Sequence, residues 1–97
     1  MIRIVKMVFT EESVDSFLKM FDHKKEFIRA FEGCTHLELL QDKNQPYTLF
    51  TYSIWESEAH LQAYRESALF AETWAETKTY FGGKPEAWSV NSIRQLL

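Results

Sequence analysis

The sequence has a single cysteine, Cys34, so no disulfide can form within the chain. Two prolines and three glycines are too few for a flexible linker, and no repeat or low-complexity tract interrupts the 97 residues, which predicts one domain over 1–97. Acidic and basic residues are interleaved and sum to a formal charge of −3, leaving no basic face for nucleic acid and no polybasic patch for a membrane surface. The opening MIRIVKMVF is too short and too broken by charge for a signal peptide or a membrane span, so the expected location is cytoplasmic. What the chain has in quantity is aromatic side chains: eight Phe, four Tyr and three Trp exceed what one small core needs, so some should line a cavity or a subunit interface.

The hydrophobic pattern predicts an α+β chain. Ile2 to Phe9 is apolar on both faces, as in a strand covered on both sides, with Ile2, Ile4 and Val8 opposite Val5, Met7 and Phe9. Thr10 is a candidate N-cap for a helix reaching about Phe31, whose core stripe is Val14, Phe17, Leu18, Phe21, Ile28 and Phe31. Met20 and Phe27 lie off that stripe and suit either a second contact surface or the edge of the core. Gly33 stops the helix. Cys34 to Gln41 alternates, placing Cys34, His36, Glu38 and Leu40 on one face, and the turn residues of Asp42 to Pro46 connect it to a second strand, Tyr47 to Trp55, in an antiparallel hairpin. Ser57 and Ser67 then open two helices, the second carrying Phe70, Trp74 and Thr77 inward, and Pro85 to Ser92 closes with a strand. The order βαββαβ is ferredoxin-like, with a four-stranded antiparallel sheet. Its bare face, to which Val5, Met7, Leu37, Leu39, Phe50 and Tyr52 are assigned, predicts a homodimer packed sheet to sheet.

The stretch from Leu49 to Phe81 runs from strand through a Ser-bearing elbow into helix, and converges Trp55, Tyr64, Phe70 and Trp74 on one space. Each ring has a plain reading as core and a second as the wall of a ligand pocket. Tyr64 and Arg65 offer a phenol and a cation at the mouth of that space. Cys34, His36 and Glu38 share a strand face at metal-ligand spacing, but no second cluster completes a site, and Cys34 lacks the base and oxyanion donors of a nucleophile. No metal or other cofactor is expected.

The rhythm of Trp55, Ser57, Leu61, Tyr64, Ser67 and Phe70, together with FEGC at the first helix end and the closing PEAWSV, resembles the antibiotic biosynthesis monooxygenase (ABM) family of dimeric α+β barrels, over essentially the whole chain. The resemblance implies that fold, homodimerisation and, in some members, oxygenation of polycyclic phenols without a cofactor. Those members carry an Asn four residues before the Trp, where this chain has Thr51. Haem-degrading relatives carry a His ligand four residues after the Phe of the second helix, where this chain has Trp74, whose indole nitrogen has no free lone pair for iron. Two functions follow: a cofactor-independent monooxygenase acting on a small aromatic phenol or quinol, or a non-catalytic dimer that binds a small hydrophobic aromatic ligand or is purely structural. In the first, His36, Tyr64 or Arg65 acts as base or anion partner, and Thr51, Trp55, Phe70 and Trp74 hold the substrate.

Overall fold

The computed structural model describes all residues, 1–97. Strand β1 (Ile2–Val8) leads through a 3-10 turn (Glu11–Ser13) into helix α1 (Val14–Arg29). The hairpin β2 (Cys34–Gln41) and β3 (Thr48–Trp55) follows, then helices α2 (Glu58–Arg65) and α3 (Ala68–Lys78), and strand β4 (Glu86–Val90). The sheet order is β2-β3-β1-β4, with every neighbouring pair antiparallel, so the fold is the ferredoxin-like α+β arrangement expected from the element order. No helix is long and apolar enough to cross a membrane.

Local chemistry sets the element ends. Thr10 does not cap α1 with its side chain; its hydroxyl donates to Ser13 Oγ at 2.8 Å, and Ser13 Oγ donates to the Tyr80 carbonyl at 2.7 Å, tying the start of α1 to the end of α3. At the other end α1 stops two residues before Phe31, where the Phe31 N–H bonds back to Ile28 at 3.1 Å, a tightened last turn. Gly33 then reverses the chain at φ 89°. Ser57 and Ser67 cap α2 and α3 through the N–H groups of His60 and Phe70.

The helices cover one face of the sheet. Met7, Phe9, Phe17, Met20, Phe21 and Leu49 form the main core, with Val5, Leu37 and Leu39 packed against it. This corrects the face assignment: Val5, Met7, Leu37 and Leu39 lie under the helices, and only Phe50 and Tyr52 of the six belong to the uncovered face. Their companions there are Ile2, Ile4, Ile54, Leu40, Trp88 and Val90, as the register pairs Ile4↔Tyr52, Ile4↔Trp88, Ile2↔Val90 and Leu40↔Phe50 require. Trp88 is 43% exposed. Met20 is buried in the core while Phe27 is 64% exposed, so the two do not make one surface.

A β-bulge breaks the alternation of β2. Cys34 pairs with Trp55 and His36 with Ile54, which leaves Thr35 as the extra residue and turns Cys34 to the helix side while His36 stays on the uncovered face. The expected shared face of Cys34, His36 and Glu38 is therefore split. No group of three or more His, Cys, Asp or Glu side chains gathers anywhere in the fold.

Candidate functional site

Between the helices and the covered sheet face lies a cavity of about 310 Å³. All four strands of the sheet feed one wall: Arg3, Val5 and Met7 from β1, Leu37 from β2, Thr51, Ser53 and Trp55 from β3, and Glu86 and Ala87 from β4. The helices supply Phe17, Tyr64, Arg65, Phe70, Thr73 and Trp74 among others. Its volume is at the lower end of the range for small-molecule sites and it is mainly apolar, as such sites are.

The aromatic walls touch one another in series. Trp55 stacks on Tyr64 at 5.1 Å, Tyr64 meets Phe70 edge-on at 5.3 Å, Phe70 stacks on Trp74 at 6.0 Å, and Trp74 meets Phe81 edge-on at 5.6 Å. Strand, elbow and two helices thus hold one another's rings, and the cavity wall is rigid because each ring is part of a neighbour's packing. The two readings of Trp55 merge: it is 2% exposed, donates its indole N–H to buried Ser53 Oγ at 2.9 Å, and still forms part of the wall.

The site residues named from sequence divide cleanly. Thr51, Trp55, Tyr64, Arg65, Phe70 and Trp74 all reach the cavity. His36 does not: it stands on the opposite sheet face, with Nε2 3.1 Å from Glu38 Oε1 and its ring edge-on to Tyr52 at 5.7 Å. Burial, with a smaller push from Cys34, raises the Tyr64 phenol far above the ordinary tyrosine range, so Tyr64 stays protonated at neutral pH and serves as a donor or a wall, not as a base. Burial also raises the Cys34 thiol, which keeps it out of the nucleophilic thiolate form.

Sequence reading missed Arg3, Ser53 and Thr73. Arg3 shares a β1 face with Val5 and Met7, and the alternation alone does not say that this face meets the helices. Its guanidinium donates to Ser89 Oγ at 3.0 Å, and burial, then the nearby charge of Arg65, lowers its proton affinity. Thr73 is buried with an Oγ1 that has no partner, whereas Thr77 Oγ1 donates to the Thr73 carbonyl at 2.7 Å.

Comparison with known proteins adds a family. No functionally curated protein matches the sequence. Among solved structures, the chain is similar to a conserved protein of Methanosarcina mazei Go1 (24% identity, 89% of this chain and 86% of that one, TM-score 0.83). It is similar in fold to a protein of Mycobacterium tuberculosis (14% identity, 97% and 95% of the two chains, TM-score 0.87). A structure described as an antibiotic biosynthesis monooxygenase aligns at 15% identity over 97% of this chain and 100% of that one, TM-score 0.87. At these identities the structures establish the shared fold, while the sequence profile of the antibiotic biosynthesis monooxygenase family matches residues 1–76 directly. The chain therefore belongs to the antibiotic biosynthesis monooxygenase family.

Proposed function

We propose that the protein is a cofactor-independent monooxygenase that oxidises a small aromatic phenol or quinol held between Trp55, Tyr64, Phe70 and Trp74. The observation that carries this reading is the aromatic cavity with two guanidiniums, Arg3 and Arg65, on its wall. These charges favour the phenolate over the phenol, and the phenolate is a far stronger reductant. It passes electrons to O2 directly. At a ring C–H carbon para to the phenolate, one oxygen atom of O2 becomes the C=O of a quinone, and the other leaves as water with that carbon's hydrogen and one proton taken back from solvent. In this reading Tyr64, protonated at neutral pH, donates a hydrogen bond to an oxygen of the substrate, and the phenolic proton leaves first to solvent.

One observation favours a second reading, a binding protein without catalysis. The cavity has Thr51 in the place of the family's Asn, and its one carboxylate, Glu86, is turned toward Lys6 at 3.9 Å. No histidine and no other carboxylate stands on the wall.

Oxygen uptake with a panel of quinols and anthrones tests the choice: consumption that rises with protein supports the enzyme, and binding without uptake supports the binder. Trp74→Ala should weaken binding, read by tryptophan fluorescence quenching, by about tenfold or more. The variant should fold, since Trp74 is only half-buried. Unchanged quenching in folded Trp74→Ala protein would remove this ring from the site.

We also propose a homodimer joined through the uncovered sheet face. Ile2, Ile4, Phe50, Tyr52, Ile54 and Trp88 lie side by side on that apolar surface, each part-exposed in the single chain, and a partner sheet would take their remaining area out of water. Light scattering at micromolar concentration should return twice the chain mass of 11.5 kDa, and a result at the single-chain mass would sink the idea.

A further inference from the structure

Lys19, Lys43, Lys78 and Lys84 are exposed and away from the cavity, as unpaired surface lysines commonly are. Lys6, Lys24 and Lys25 pair with Glu86, Glu72 and Asp22, and Arg29 donates to the Cys34 carbonyl at 2.8 Å. Arg65 makes no ion pair, and Arg3 reaches only a serine hydroxyl. Both line the cavity, and the charge of Arg65 reaches Arg3. Two like charges at one apolar space repel, and an anion entering that space meets the need for opposite charge. A bound phenolate, which these charges favour, meets only half of that need, since it balances one guanidinium of the two. A permanent anion with two oxygens meets the other half, and a guanidinium is the side chain best matched to a carboxylate.

We infer that Arg3 and Arg65 are a carboxylate-recognising pair, and that the ligand of this cavity is an aromatic acid: a phenol or quinol that also bears a carboxylate. The inference rests on the reading of the cavity as a ligand site and adds to it the class of compound. One carboxylate against two guanidiniums leaves a net charge of +1, which remains to favour the phenolate. The unpartnered Thr73 Oγ1 on the same wall offers a further polar contact, so the ligand carries an oxygen in its aromatic body as well.

Calorimetric titration with 6-hydroxy-2-naphthoate and its neutral amide, 6-hydroxy-2-naphthamide, tests this. The acid should bind about tenfold or more tightly than the amide at low salt, and the gap should narrow as salt rises. Arg65→Gln should erase most of the preference by weakening the acid more than the amide, and Arg65→Lys should keep part of it. Arg65 is exposed on α2, so these variants should fold, and Arg3→Gln provides a second, independent arm. Equal affinity of acid and amide for the unaltered protein would overturn the carboxylate inference and leave the ligand site standing. So would a preference that survives both Arg65→Gln and Arg3→Gln. If neither probe binds, both readings fall together.

Discussion

Gly33→Ala is expected to remove about 2 to 6 kcal/mol of stability, a large part of the roughly 5 to 15 kcal/mol that holds a small domain folded. Two causes add. At φ 89° an alanine Cβ is strained against its own backbone, at about 1 to 3 kcal/mol. That Cβ would also overlap the His60 imidazole, and moving the ring aside costs a similar amount. His60 is not free to move: its Nδ1 is 2.6 Å from Ser57 Oγ, the same oxygen that caps α2. The reversal before β2 and the first turn of α2 are thus interlocked, and the interlock fixes where α2 places Tyr64 and Arg65. Urea unfolding should show the loss directly. Repeating Gly33→Ala in a His60→Ala background separates the two causes, because only the backbone strain should remain. An equal loss in both backgrounds would show that the two residues do not interlock.

Trp55→Ala is expected to cost about 3 to 5 kcal/mol and to abolish ligand binding with it. The indole is among the most buried side chains of the chain, it supports Tyr64 by stacking and Phe31 edge-on at 6.5 Å, and its N–H satisfies Ser53. Removal would enlarge the cavity, strip Tyr64 of its support and leave a buried hydroxyl without its donor. Trp55→Phe keeps the apolar packing and loses the hydrogen bond, so it should cost about 1 to 2 kcal/mol and retain binding. A Trp55→Ala protein as stable as the parent would mean that the ring is not part of the core.

The outline of this fold was readable because its local signals agree. Alternation in β3, the turn residues from Asp42 to Pro46 and the capping serines Ser57 and Ser67 each point to the element found there. The face of β1 that meets the helices was not readable. Both of its sides are apolar, and a period of two says which residues share a side but not which side is covered. The bulge at Thr35 was equally hidden, since neither glycine nor proline marks it, and its one-residue shift separates Cys34 from His36. For the site, the rings from Trp55 to Trp74 were legible because they are close in sequence. Arg3 joins Arg65 only through the sheet, 62 positions away, and no local pattern announces that meeting.

The bulge also governs what the molecule avoids. β2 is an outer strand of the sheet, and its free N–H and C=O groups could template a further strand from another molecule. Thr35 interrupts that row and its hydroxyl turns back to the Ile54 carbonyl at 3.3 Å, so an incoming strand would lose register within two residues of Cys34. The opposite outer strand, β4, is five residues long and begins directly after Pro85, which has no N–H to offer. Both borders resist fibril-like, open-ended growth, so stickiness is confined to a flat surface that one partner can saturate.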